Sequence, residues 1–335
     1  MLPFKKILVA IDALEEHQWV LDQAARLAEK HAGSLLIVDG VPEINWAQRW
    51  VLSGAEHMQE LLLREKGQRL RKLASALRKR GIDVKTKLLV GRTADEIIRQ
   101  VMRGKHDLVM RAAKGPHSRR PDFFSSTGFE LLRKCPCAVM LCKSAAPVPH
   151  GRIVAAVDPH PEKEAYRELD RRIVEAAVQL GQFGNAPVDI LHIWSVYGER
   201  MVKDYMKANE FQELEKSILS QHTEALNQLL TSSGWNGPAE HVHVQRGEAT
   251  VEIPKYAADS QAELLVMGTV ARGGVSGLVM GNTAELILHQ LKCSVLALKP
   301  AGFVTPVKLR ATKEAEASEP EVGDLPETLP MPPVP

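Results

Sequence analysis

Two stretches of this chain begin alike and keep matching in order, and such an internal duplication limits the available folds more than any composition does. "KKILVAIDAL" (residues 5–14) and "GRIVAAVDPH" (residues 151–160) each carry a basic start, a short apolar run and an aspartate. The apolar run reads as a buried strand with the aspartate at its carboxyl end. Further along, "LLVGRTADEIIRQVMRGKHDLVM" (88–110) parallels "VHVQRGEATVEIPKYAADSQAELLVMG" (242–268), aligning Gly91 with Gly247 and Asp107 with Glu263. Then "LLRKCPCAVMLCK" (131–143) parallels "LHQLKCSVLALKP" (288–300). Asp12 and Asp158 lie 146 residues apart and the two glycines 156, so the second copy carries ten extra residues between these points. At roughly 150 residues per domain, 335 residues also make about two domains, each large enough for its own core.

Within each copy, strand patterns alternate with helical ones, which predicts βα units and a parallel sheet. In the second copy strands are expected at 152–157, 188–194, 241–245, 263–267 and 294–298. Helices are expected at 162–182, 200–233, 248–259 and 283–291. In the first copy the long helix places Met58, Leu62, Leu70, Leu73 and Leu77 on one face, with Arg64, Arg71, Arg78 and Lys79 outside. The fold class is therefore α/β, two tandem five-stranded parallel sheets with helices on both faces, over residues 1–147 and 148–300. Seven of the 20 prolines fall in residues 301–335, and six acidic side chains with no basic one follow Lys313, a composition that predicts a disordered tail.

The longest apolar runs fall far short of the roughly 18 residues that span a bilayer, and the stretch behind Lys5 and Lys6 stops at Asp12, too early for a signal core of about 7 to 15 residues. A cytoplasmic protein with no membrane partner is expected. Cys135, Cys137, Cys142 and Cys293 lack the C-x2-C spacing of zinc sites and read as small buried hydrophobes. The net charge of +2 conceals an asymmetry: residues 1–147 hold 26 basic and 16 acidic side chains, residues 148–300 hold 14 and 19, and residues 301–335 hold 3 and 6.

Ligands of open α/β sheets sit beyond the carboxyl ends of the strands. Asp12, Asp158, the loop after Val38 and the loop after Met267 all point there. In "MGTVARGGVSGLVMGNTAE" (267–285), Gly268 ends a strand and Gly281-Asn282-Thr283 leads into a helix whose free amides can hold an anion. Asn282 and Glu285, three apart, equally fit a helix capping pair. Arg111, Lys114, Arg119 and Arg120 form a basic loop at the corresponding end of the first copy, suited to an anionic partner or simply to solvent. His192, His241 and His243 lie on adjacent predicted strands and are weighed as zinc ligands, but with no fourth ligand placed no metal site is assigned. No nucleophile elbow or catalytic triad can be placed, so no catalytic residue is assigned.

With these motifs in this order, residues 3–300 resemble the universal stress protein family in its tandem form, with a Rossmann-like fold. In nucleotide-binding members of that family the loop reads G-x2-G-x9-G followed by Ser or Thr, with the first aspartate near the adenine. Here Gly268 and Gly281 match, Ala271 stands in place of the second glycine, and Asn282 stands where the hydroxyl residue is expected, with Thr283 one place late. The resemblance thus implies a ligand site formed by Asp158, Ile193, Gly268, Ala271, Gly274, Gly281, Asn282 and Thr283. The first copy has Ala112 at the strand end and keeps only Gly115 in register. The resemblance implies a non-catalytic stress-response role with an unidentified small-molecule or protein partner. The alternatives are a switch or weak ATPase using ATP or another adenine nucleotide, and a scaffold whose basic first half docks an anionic macromolecule. Family members pair through their last strands, so "AVML" and "VLAL" are expected to pair within the chain, giving a monomeric pseudo-dimer or a weak homodimer.

Overall fold

A computed structural model of the protein describes residues 4–15, 18–43, 55–113, 124–143, 151–159, 164–270 and 280–310. The first domain runs β1 (Lys6–Ile11), α1 (Trp19–His31), β2 (Ser34–Val41), α2 (Ala55–Arg78), β3 (Asp83–Val90), α3 (Thr93–Gly104), β4 (Leu108–Ala112), α4 (Ser126–Lys134) and β5 (Ala138–Cys142). The second repeats the order as β6 (Ile153–Val157), α5 (Glu164–Gly184), β7 (Val188–Trp194), α6 (Glu199–Tyr205), α7 (Ala208–Ser232), β8 (Val242–Arg246), α8 (Ala249–Asp259), β9 (Leu264–Gly268), α9 (Asn282–Gln290) and β10 (Ser294–Leu298). Among the described residues no helix is long and apolar enough to cross a membrane.

The two copies build one sheet rather than two. Its ten strands are ordered β3-β2-β1-β4-β5-β10-β9-β6-β7-β8, parallel within each half and antiparallel where β5 meets β10. Met140 pairs with Leu296, Val139 with Ala297 and Leu141 with Val295. Since Leu296 is the repeat equivalent of Met140, a local two-fold axis passes through that pair, and the two last strands join as the sequence leads one to expect. Each covers an edge that would otherwise template association.

Helices α1, α2, α5 and α7 cover one face of the sheet, while α3, α4, α8 and α9 cover the other, and each apolar layer runs through both domains. Lysines knit the seam in two-fold fashion. Lys143 Nζ donates to Leu291 O at the end of α9, and its equivalent Lys299 donates to Leu132 O at 2.6 Å and Arg133 O at 3.4 Å at the end of α4. Cations at helix carboxyl ends satisfy orphan carbonyls and favour the helix dipole. Arg133 of the first domain also meets Glu285 of the second at 3.0 Å.

Aligned residues do the same work in both copies, which fixes the repeat register physically. Gly91 (φ 130) and Gly247 (φ 153) adopt a backbone that other residues rarely take, and both donate their N–H across the sheet, to Val41 O and Trp194 O, each at 3.0 Å. Asp107 accepts from the amides of Lys5 and Lys6, and Glu263 from that of Gly151.

The expected helix over 200–233 is broken. Met206 is extended (φ −111, ψ 149), ending α6, and its side chain joins Trp194, Val196 and Phe211 in a small separate core. Glu210 then accepts from the Lys207 amide at the start of α7. In α2 the apolar face is narrower than expected: Leu70 and Leu77 are buried, but Met58 is exposed. After β10 the chain returns to the first domain, where Arg99 Nε donates to Lys308 O at 3.0 Å and Val307 packs on the core. Residues 311–335 lie outside the described residues.

Candidate functional site

The carboxyl ends of the first two strands of each domain hold the same three positions, occupied by different side chains. Sheet register sets Asp39 beside Ile11 in the first domain and His192 beside Val157 in the second. Asp12 and Asp158 follow those partner strands. The third position comes from the long helix, Lys66 on α2 and, 156 residues later, His222 on α7. That spacing equals the one between the two aligned glycines.

In the first domain Lys66 Nζ sits 2.7 Å from Asp39 Oδ2 and 3.0 Å from Asp12 Oδ1. Asp39 also accepts from the Ala13 amide at 2.8 Å, and Asp12 from the Leu14 amide at 3.1 Å. Both Lys66 and Asp39 are buried. Burial raises the Asp39 carboxyl by more than its bonds from Lys66 and Ala13 lower it. At Asp12 burial is outweighed by Lys66 and the Leu14 amide, so its carboxyl lies below the ordinary value. Burial opposes the Lys66 ammonium, yet its two carboxylate partners raise it on balance. Arg111, at the end of β4, is lowered by burial and supported by Asp39, Asp12 and Glu15. Arg111 thus lies within electrostatic reach of both carboxylates, with its Nε buried, rather than on an outward basic loop. Lys114, Arg119 and Arg120 lie outside the described residues.

In the second domain neither cation is kept. Met267 occupies the strand position of Arg111, and the lysine position is His222. His192 is wholly buried. Its Nδ1 lies 3.1 Å from Val157 O, which can only accept, so Nδ1 carries a hydrogen and Nε2 accepts from His222 Nδ1 at 2.8 Å in the neutral pair. The Asp158 side chain is 56% exposed, against 35% for Asp12. The Asp158 amide donates to Asp170 Oδ1 at 3.3 Å. Asp170 lines a cavity of about 240 Å³ between α5 and α7, together with Pro159, Arg167, Gln228, Leu229 and Ser232.

The predicted loop residues have divided roles. Gly268 ends β9, and a Cβ there would stand 2.9 Å from Leu169 Cδ2, so this glycine lets α5 close on the sheet. Ile193 packs on the opposite face, toward α8. Gly281 is the N-cap of α9, with no side-chain cap bond. Asn282 and Thr283 follow it, exposed in the first turn, so Asn282 is not the cap its spacing from Glu285 suggests. The first domain closes the matching helix differently, with Ser125 Oγ accepting from the Gly128 amide at 3.1 Å. Thr269 O accepts from the Gly281 amide and Val270 bridges Met280, which pins both ends of the glycine loop. Ala271 and Gly274 lie outside the described residues.

The three imidazoles weighed as a metal set do not converge. His192 stands opposite Val244, not His243, so pleat alternation sends His192 toward α7 and His243 toward α8, where it meets Tyr256. His241 Nδ1 instead meets the buried Asp189 at 2.6 Å, alongside Arg152 and Tyr256. Among the described residues no group of three or more histidine, cysteine or acidic side chains is placed to hold a metal.

Sequence reasoning missed Lys66, Asp39 and His222. A signal was present: Lys66 falls on the apolar face of α2 between Leu62 and Leu70, where a lone charge calls for a buried partner. The repeat offset then leads directly to His222.

Known proteins share both the duplication and the sheet. The model of the "Universal stress protein family" matches residues 3–143 and again 150–299. Universal stress protein E of Escherichia coli is 27% identical over 314 residues, covering 92% of this chain and 98% of that one. The universal stress protein E homolog of Haemophilus influenzae is 26% identical and covers 90% and 99%. A crystal structure of a functionally unknown protein from Pseudomonas aeruginosa superposes with a TM-score of 0.69 at 25% identity, over 89% of this chain and 94% of that one. With both halves matched nearly end to end, the chain belongs to the universal stress protein family, in its two-domain form.

Proposed function

We propose that this protein serves the stress response by binding, without turnover, and that its ligand enters the second domain. The observation that carries this reading is the Lys66 ammonium lodged between Asp12 and Asp39 and donating to both, which fills the first site from within. At the equivalent place the second domain has two imidazoles, a more exposed aspartate and an adjoining cavity. Divergence of one copy toward structure and the other toward recognition accounts for both sets of side chains. The cavity walls pair an apolar Leu229 and Pro159 with Asp170, Arg167 and Gln228, a mixture that suits a small polar molecule held in one orientation.

An adenine nucleotide is the second reading, favoured by the open first turn of α9 at Gly281. Against it stand the use of Gly268 for helix packing and the side chain at Ala271 in the phosphate loop. Titration calorimetry with ATP and magnesium is expected to give no constant tighter than about millimolar, near −4 kcal/mol. A micromolar constant, abolished by Asp158→Ala and tightened by Ala271→Gly, would establish the nucleotide reading instead.

A further inference from the structure

Away from the strand ends, Cys135 and Cys137 flank Pro136 with their sulfurs 3.5 Å apart. Three of the four cysteines are buried, in keeping with small apolar residues, but Cys137 is half-exposed. Cys135 is the C-cap of α4, extended at φ −68 and ψ 131 as a residue before proline prefers, and the bend at Pro136 and Cys137 leaves the two sulfurs in contact. Closing a disulfide needs the sulfurs to approach by about 1.5 Å, a shift within reach of side-chain rotation.

We propose that Cys135 and Cys137 are a redox couple that closes to an intramolecular disulfide when the protein meets an oxidised low-molecular-weight disulfide such as glutathione disulfide. The Cys137 thiol, which its bond with Cys135 and burial push up, gives up its proton to water and attacks one sulfur of the reagent, forming a mixed disulfide and releasing one thiolate. The Cys135 thiolate then attacks Cys137 Sγ, making the Cys135–Cys137 bond and expelling the second thiolate. Two electrons pass from the cysteines to the reagent, and the two cysteine protons end on the released thiolates. In the reduced protein burial opposes ionisation at Cys135, but the hydrogen bond from the Cys137 thiol, the Cys137 amide and the charge of Lys299 outweigh it, and the amide and Lys299 remain once Cys137 has entered the mixed disulfide. The buried member is thereby suited to the resolving step. Cys142, one strand length away, is pushed by burial up to about 12 and is unsuited to compete.

The location gives the couple a structural consequence. The Cys135 amide donates to Leu131 O, and Lys299 of the second domain grips the next two carbonyls of the same helix end. Ring closure therefore acts on the turn of α4 that the partner domain holds.

The test equilibrates the intact full-length protein across ratios of oxidised to reduced glutathione, quenches with acid, alkylates in denaturant and maps the tryptic peptide 135–143. Expected is a peptide two hydrogens lighter, alkylated only at Cys142, while Cys135→Ser and Cys137→Ser proteins keep every remaining thiol alkylatable. The native protein should reach half-closure at a ratio at least about tenfold less oxidising than the same chain in denaturant, because the folded sulfurs are already in place. Three alkylated thiols throughout, a bond involving Cys142, a stable glutathione adduct, or closure no easier when folded than unfolded would each overturn the proposal.

Discussion

At the ligand end of the first domain two carboxylates converge on an ammonium, whereas at the same place in the second an imidazole leans on another imidazole. The strands, register and long helix that bring these groups together are the same. What differs is the character of the groups: the first set pairs carboxylates with an ammonium, and the second joins two imidazoles and leaves Asp158 more open to solvent. Duplication allows this because one copy can keep a charge-filled end while the other has a cavity beside it. The helix after the last loop follows the same division, capped by Ser125 in the first domain and by a bare Gly281 in the second.

The largest expected effect concerns the partnership itself. A chain cut after Pro147 loses β10, leaving β5 with an unpaired edge. Light scattering should then report a homodimer or larger aggregate, and a strictly monomeric, soluble first half would break the picture of two domains that complete each other.

Lys66 separates the two sites next. Lys66→Met leaves Asp39 buried without its counter-charge and should lower the unfolding free energy by about 3–5 kcal/mol, the usual cost of removing one member of a buried ion pair. His222→Leu removes one hydrogen bond from a ring that keeps its carbonyl partner, so about 1–3 kcal/mol is expected. Denaturant midpoints of the two variants measure the contrast, and equal losses would sink it. Asp39→Asn combined with Lys66→Met should recover part of the first loss, since the stranded charge is then gone.

A smaller effect involves Lys299 at the seam. Burial pulls its ammonium down to about 7. Between that value and the ordinary lysine range the unfolded chain binds a proton that the folded chain does not, so stability should rise with pH through this window. Lys299→Met should flatten the rise in pH-resolved denaturation curves. An unchanged slope would show that the acceptors Leu132 O and Thr269 Oγ1 keep the ammonium charged throughout.

Much of the fold was readable because strand and helix periodicities repeat in two copies: β7 and β10 fall on the residues expected, and the last strands pair. The break at Met206 was not readable, because an apolar residue continues the helical pattern while tertiary packing against Trp194 and Phe211 turns it aside. Glycine spacing drew attention to Gly268 for its nearness to a ligand, yet its lack of a side chain serves Leu169. The residues that meet at the two strand ends, Lys66, Asp39 and His222, carry no local motif. They come from separate elements, and only strand register and the inward face of a long helix bring them together.

The central claim is that the first ligand end is closed by its own lysine and the second is open. Carbodiimide labelling with a small amine probes it directly, using desalted protein whose native mass shows no bound small molecule, with peptide mapping of Asp12 and Asp158. The account predicts that Asp158 is modified several-fold faster than Asp12, and that Lys66→Met brings Asp12 up toward the rate of Asp158. Equal rates in the wild-type protein, or an Asp12 that reacts first, would contradict it.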